Sequence, residues 1–239
     1  MSERENMIQQ WQRKYESLPT GDEGFLDWKS FSEELRKAAD PEILEFHYEL
    51  LRDRSIRLRY LILREAFSKR SEASAGAFLL ARLKEEKDPG LRADILVMLD
   101  LMRRPESLEL ARDGLRDQDG EMRYAACGAL GAVGKAADIA RLRGPLLDDS
   151  LAPVRIAAAN AHSQLHDRLP GQKTALLRNL RDALEAESDD EVTRWVVLAA
   201  ADILRKRFGL RYDEDEGEVI GDLPEARERC TRALAKLDL

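Results

Sequence analysis

The chain has 239 residues, of which 44% are apolar, 36% charged and 6% aromatic, with 14 glycines and 8 prolines. This excludes collagen-like, Pro/Gly-rich and disulfide-scaffold proteins, and disfavours an all-β sandwich, whose sheets draw on β-branched and aromatic residues. The net charge is −7, and both halves are acidic: residues 1–120 hold 21 basic and 25 acidic side chains, residues 121–239 hold 18 and 21. No basic domain of the kind that displaces counterions from nucleic acid is present, so a nucleic-acid partner is disfavoured.

Residues 1–6 are polar and acidic, without the apolar core of a signal peptide. Residues 3–18 and 24–38 read as two helices carrying Met7, Ile8, Trp11, Tyr15, Phe25, Trp28, Phe31 and Leu35. So many large apolar groups in a short span predict an N-terminal cap over residues 1–38, with a docking surface of Trp11, Tyr15 and Trp28 as the alternative.

A repeat follows over residues 39–208. Arg59, Arg92, Arg123, Arg155 and Arg194 are spaced by 33, 31, 32 and 39 residues, and offsets +3, +4 and +7 from each are mostly apolar. Each arginine therefore opens a helix, B. A second apolar-periodic helix, A, precedes it, at about 73–86, 105–116, 135–147 and 171–187. Such pairs bury their apolar faces only by stacking. Pro105 opens an A helix, and Gly131 and Gly134 fit a left-handed end to the Arg123 helix. Asp88, Asp119 and Asp190 stand four before their arginines, where they can cap a B helix and lie near an arginine of an adjacent repeat; Ser55 and Leu151 stand there in the other copies. Residues 209–222, with Asp213, Glu214, Asp215, Glu216, Glu218 and Asp222, read as an acidic loop. As alternatives to a plain linker, the loop offers a contact for a basic partner or a calcium site, although EF-hand spacing is absent. Residues 223–239 read as a C-terminal capping helix.

Asp119–Gly134, Ile139-Ala140-Arg141-Leu142 and Val154–Ala159 resemble HEAT repeats of the phycobilisome-lyase-like type: an Asp, then Val-Arg, then an Ala-rich helix ending Ala-Leu-Gly. The likeness is strong over 88–204 and weaker over 40–70. It implies an all-α, right-handed α-solenoid of about five antiparallel helix pairs, with capping helices at both ends, that binds other proteins. Residues 1–239 are expected to form one domain.

Catalytic motifs are missing. There is no G-x-S-x-G, Walker loop or G-x-G-x-x-G. Cys127 and Cys230 lie 103 residues apart, outside any metal or redox motif, and Cys127 falls among small residues as a packed thiol. His162 and His166 share a helix face, but His162 occupies an apolar position, so a hydrogen-bonded core histidine is favoured over a metal ligand. No enzyme activity, cofactor or metal is expected. The longest apolar run, Trp195–Ala201, is far below the about 20 residues that span a bilayer. The expectation is a soluble cytoplasmic protein with reduced thiols.

Positions +1 and +5 from each arginine share a B-helix face, which lines the concave groove in the resembled family. With neighbouring offsets they nominate Tyr60, Arg64, Asp94, Met98, Tyr124, Asn160, Gln164 and Trp195 as partner-binding residues. Tyr, Trp and Arg are the types that dominate binding hot spots. Residues 52–70 add a basic run of Arg52, Arg54, Arg57, Arg59, Arg64, Lys69 and Arg70 against Asp53 and Glu65, a candidate patch for an acidic partner or phosphates. The expected function is a non-enzymatic interaction module that binds another protein in its groove. A toxin-neutralising immunity protein or adaptor, with a basic partner, is a sub-case. A bilin-lyase-like protein, its pocket around Tyr124, His162 and Trp195, is the alternative, followed by a nucleic-acid-binding HEAT-like protein.

Overall fold

A computed structural model describes residues 3–19, 24–38, 40–70 and 73–237. The chain forms two compact units, Met1–Arg104 and Pro105–Leu239. The first holds α1 (Glu3–Glu16), α2 (Phe25–Lys37), α3 (Pro41–Leu50), α4 (Arg57–Ser68), α5 (Ala73–Glu85) and α6 (Pro89–Leu101). The second holds α7 (Glu106–Gly114), α8 (Gly120–Val133), α9 (Asp138–Asp148), α10 (Ala152–Arg168), a 3-10 turn (Pro170–Gln172), α11 (Lys173–Ala186) and α12 (Asp190–Leu204). A hairpin of β1 (Arg211–Asp213) and β2 (Glu218–Ile220) and then α13 (Leu223–Ala235) complete it. This is an all-α repeat fold. The pairs α3/α4, α5/α6, α7/α8, α9/α10 and α11/α12 are each joined by three to six residues, which only antiparallel neighbours allow. B helices pack on one another within each unit: α2 on α4 and α4 on α6, then α8 on α10 and α10 on α12.

The caps fix the register of the repeats. Asp88 accepts a hydrogen bond from Leu91 N–H, and Asp119 accepts from Glu121 and Met122 N–H. In α12 the cap is Asp189 rather than the expected Asp190, and α4 and α10 start after Ile56 and Leu151, which give no side-chain bond. The five caps are 32, 31, 32 and 38 residues apart. Arg92, Arg123 and Arg155 all stand four after a cap, whereas Arg59 stands three after and Arg194 five after. Tyr60 and Thr193 therefore occupy the repeat position assigned from sequence to Arg59 and Arg194.

The cores of the two units differ. In the first, Phe31, Leu35, Tyr48, Leu51, Leu63, Phe67, Leu79, Ile95 and Leu99 are fully buried. In the second, the B helices meet through Ala125, Ala126, Ala129, Ala157, Ala158, Ala159 and Ala161, small enough for the backbones to approach closely. Gly131 serves that approach: a Cβ there would lie 3.0 Å from Ala161 Cα and 2.2 Å from Gln164 Oε1. Gly134 is likewise no left-handed cap, with φ of −59°; a Cβ would stand 2.3 Å from the Leu130 carbonyl oxygen.

Both ends are closed. Trp28, Phe31 and Leu35 are buried, Trp11 stacks edge-on against Phe31 at 5.5 Å and Tyr15 against Trp28 at 5.4 Å. The Arg59 guanidinium lies between Tyr15 and Trp28, 4.9 and 5.0 Å from their ring centres. It pairs with Asp53, which also accepts from the Tyr15 hydroxyl at 2.8 Å. These aromatics are committed to the α1/α2 cap, so the alternative reading of them as a docking surface does not hold. Residues 209–222 are more than a loop: β1 and β2 pair antiparallel, Tyr212 opposite Val219, with Gly217 at φ +71° in the turn. Strands of three residues are too short to leave a period in the sequence. Phe208 and Val219 are buried, and Arg194 Nη1 donates to the Gly221 carbonyl at 3.0 Å. α13 packs on α11 and α12; residues 238–239 of the expected capping helix lie outside the described residues.

Candidate functional site

Ion pairs recur at the A–B turns. Glu86, Asp117, Asp149 and Glu187 each stand two residues before a cap and accept its backbone N–H, at 3.0, 3.0, 3.0 and 2.9 Å. In the second unit, Arg123 donates twice to Asp149, at 2.6 and 2.9 Å, while its Nη1 donates to the Asp117 and Gln118 carbonyls, both at 3.0 Å. Arg155 does the same with Glu187, at 2.7 and 3.3 Å, and with the Asp149 carbonyl at 2.8 Å. Burial works against the charge of Asp149 and Glu187, but these arginine bonds hold both carboxyls below their usual range. In the first unit Arg52 and the Tyr48 hydroxyl serve Glu86; burial opposes its charge, yet the bonds hold the carboxyl down to about 2. The sequence reading placed the adjacent arginine near the cap itself. The expectation holds for Asp88, whose Oδ1 lies 3.9 Å from Arg54 Nη2, but the closer bonds of Arg52, Arg123 and Arg155 go to the carboxylate two residues earlier, because the cap's own oxygens face the helix N-terminus.

In the first unit, Tyr60, Arg64 and Asp94 do come together, but on each other. Asp94 accepts from Arg54 at 2.8 Å and Arg64 at 3.0 Å, and hydrogen-bonds the Tyr60 hydroxyl, which burial and this bond push well above its ordinary pKa. The two guanidiniums flank the Tyr60 ring at 5.3 and 5.5 Å. Asp94 is only 5% exposed and Met98 is fully buried in the core. Neither offers a surface to a partner: α6 is covered on that side by α4. On α4 the cause is the one-residue register error, which rotates a helical side chain by about 100°; on α6, where Arg92 stands four after its cap, Asp94 and Met98 are neighbouring offsets that face the core. Five and nine residues after the cap stand the half-buried Leu61 and exposed Glu65 on α4, and the buried Ala93 and half-buried Val97 on α6, with Leu101, 57% exposed, one turn further. Beside them, Phe25, Lys29, Glu33, Ile62, Glu65 and Lys69 line a cavity of about 140 Å³.

In the second unit the register was read correctly on α8 and α10. Tyr124 is 53% exposed, with Gly128 and Ala132 exposed beyond it on α8. A Cβ on Gly128 would meet nothing within 4 Å. Ile156 and Asn160 are half-buried and Gln164 exposed on α10. On α12, Leu198 continues this face, and Ser163 Oγ ties the two helices by donating to Asp202 at 3.1 Å. Trp195 is not on this face. It stands six after its cap, where Ala125 and Ala157 are buried, and leans on Tyr212 of the hairpin at 5.5 Å.

Both buried histidines and both cysteines are held inside the fold, while His166, half-buried on α10, has its buried Nδ1 without a hydrogen bond among the described residues. His162 is fully buried, its Nδ1 donating to the Ala158 carbonyl at 2.7 Å and its Nε2 accepting from Asn179 Nδ2 at 3.1 Å, and burial lowers its pKa to about 4. A tetrapyrrole pocket around Tyr124, His162 and Trp195 is therefore not assembled. His47 is also buried, bonded to the Leu63 carbonyl, and pulled down to about 3 by burial and by Arg70. Burial pushes Cys127 and Cys230 up to about 12. Among the described residues no cluster of His, Cys, Asp and Glu could hold a metal, and no helix is long and apolar enough to cross a membrane. Most of the basic run 52–70 is paired: Arg52, Arg54, Arg59, Arg64 and Lys69 with Glu86, Asp94, Asp53, Asp94 and Glu65, while Arg70 donates to the Leu35 and Ala38 carbonyls and Arg57 is exposed.

The family model of the HEAT repeats matches residues 76–163. It runs from within α5 to within α10 and supports a HEAT-repeat chain, without distinguishing the phycobilisome-lyase-like type. No curated protein matches.

Proposed function

We propose that the chain is a non-enzymatic HEAT-type module that binds a protein partner on the outward face of its B helices. The observation that carries this is the uncovered face of α8, α10 and α12. There the exposed Tyr124 stands among small and polar groups, Gly128, Ala132, Ile156, Asn160 and Gln164, with Leu198 beside them. An exposed aromatic in such a setting is a hot-spot type, and HEAT repeats commonly mediate protein–protein interaction. The reading keeps the right-handed α-solenoid of about five pairs, a cytoplasmic location and the absence of catalysis. A net charge of −7 favours a basic partner, as a toxin-neutralising or adaptor role requires, with an on-rate that falls as salt rises.

The test is affinity capture with tagged wild type, Tyr124→Ala and Gly128→Arg, after matched melting curves. Gly128→Arg adds bulk into open space, so the fold is retained while the face is blocked. A stoichiometric protein lost in both variants supports the reading. A partner retained by both, or none captured, refutes it.

A further inference from the structure

The hairpin places a second surface beside α12, with a chemistry of its own. Tyr212 leaves 46% of its surface in water while its ring tilts 48° to Trp195, centroids 5.5 Å apart. The two rings thus form an open wedge rather than a closed stack. The Trp195 Nε1–H donates to Glu191 Oε1 at 2.9 Å, which fixes a carboxylate at the edge of the wedge. The Tyr212 hydroxyl reaches back over the hairpin turn, where a Cβ on Gly217 would lie 3.9 Å from it. That turn carries the exposed Glu214, Asp215 and Glu216.

Arg205, Lys206 and Arg207 precede the hairpin, and the hairpin itself is acidic. Residues 211–222 hold six carboxylates and one arginine, Arg211, which is spent on Asp213 at 3.1 Å. Arg194 donates to the Gly221 carbonyl, which anchors its guanidinium but leaves its charge in place. Within residues 211–222 carboxylates outnumber arginines six to one, beside two partly open aromatic rings. Ring faces attract cations, guanidinium above all, and adjacent carboxylates add to that attraction.

We infer that the Trp195–Tyr212 wedge, with Glu191 and the acidic turn, docks an arginine- or lysine-bearing segment of a protein partner. This rests on the protein-binding reading above but assigns a separate contact, at the C-terminal end of the second unit rather than on the B-helix face.

The test uses a fluorescent arginine–serine peptide and its citrulline counterpart, in which the same side chain is neutral. Binding is followed by anisotropy and by the Trp195 indole N–H signal in NMR, assigned with Trp195→Phe. The arginine peptide is expected to bind and shift that signal, and the citrulline peptide to do neither. Tyr212→Leu, which keeps apolar bulk and loses the ring, should weaken binding about 3- to 10-fold. Glu191→Gln, on the helix and independent of hairpin folding, should weaken it by a similar factor. Tyr124→Ala should leave it unchanged. Equal binding of both peptides, or binding that survives Tyr212→Leu and Glu191→Gln, overturns the inference. Loss on Tyr124→Ala alone also overturns it while leaving the B-helix face reading intact; failure of that reading shows instead in the capture experiment.

Discussion

Replacing Arg123 by alanine should destabilise the second unit more than replacing its partner Asp149. The Arg123 and Asp149 side chains are 15% and 6% exposed. In Arg123→Ala the carboxylate stays in place with one backbone donor, Leu151 N–H, and has lost two charge-assisted bonds. The Asp117 and Gln118 carbonyls lose a donor as well, although both sit near solvent. A charged hydrogen bond contributes about 1.5–3 kcal/mol, and stranding a buried charge costs about 3–5. Partial solvation of this turn places the expected loss near 3 kcal/mol. For a unit of about 135 residues that is a fall in Tm of roughly 10 °C. Asp149→Ala should cost less, about 1–2 kcal/mol, since Arg123 keeps its two carbonyls and can swing its charge to water. The double variant completes a cycle whose coupling should be about 1–3 kcal/mol, read by urea denaturation with tryptophan and circular-dichroism probes. A coupling near zero would refute the claim that the turn ion pairs hold the repeats together.

Other outcomes follow from the same geometry. Below the unfolded histidine pKa near 6.5, the unfolded chain takes up protons that buried His47 and His162 refuse until about 3 and about 4, so stability should fall with acid from about pH 6.5 downward, by about 1.4 kcal/mol per pH unit for each histidine. Denaturation at pH 7, 6 and 5 measures this, and the slope should drop in His162→Gln. The carboxylates add a second loss at lower pH: Asp53 is held to about 2, by Ser55 first and then Tyr15 and Arg59, and its contribution is complete above about pH 4 and disappears as pH falls through 2. Gly128→Ala should stabilise the chain by about 0.5–1 kcal/mol, whereas Gly131→Ala should destabilise it by about 1–3 kcal/mol, because its Cβ presses on the α10 backbone; thermal melts of the pair decide this. Cys127 and Cys230 should resist a thiol reagent in the native state and react together on unfolding.

Most of the helical layout was legible because burial repeats with a period the sequence carries openly. The predicted A helices at 105–116 and 171–187 meet α7 at Glu106–Gly114 and α11 at Lys173–Ala186. Asp88 and Asp119 were readable as caps since a short carboxylate before an apolar-periodic run has few other uses. The ends of the array were harder. Arg59 resembles the repeat arginine in sequence but serves the Tyr15–Trp28 cap, and the repeat position passes to Tyr60. An alignment on arginines cannot see this, while one on caps would have placed Ile56 beside Asp88 and recovered Leu61 and Glu65 in place of Tyr60 and Arg64. The acidic residue two before each cap was also visible, as Glu86-x-Asp88, Asp117-x-Asp119 and Glu187-x-Asp189. Its meaning lay in three dimensions, since the arginines of Glu86 and Glu187 come from the preceding pair.

The charge content is where sequence reading misleads most, and where the structure is most informative. With 36% of residues charged, a run such as 52–70 reads as a binding patch, yet most of its arginines close turns and bridge helices. Charge that is paired inside the fold presents little field to a partner, and its removal would show as lost stability rather than lost binding. Surface chemistry is therefore best found by subtraction. Once turn arginines, capping aspartates and core histidines are assigned to the fold, two features of the second unit remain with little internal work. One is the Tyr124 face; the other is the acidic hairpin beside Trp195 and Tyr212. They differ in kind, a single tyrosine among small and uncharged groups against paired rings and carboxylates. A single extended partner reaching both would need an apolar segment and a basic one, and salt would then weaken only the second contact. Measuring the salt dependence of the captured partner's on-rate in wild type and in Tyr212→Leu separates them: the slope should flatten in the variant, and an unchanged slope would place the steering charge elsewhere.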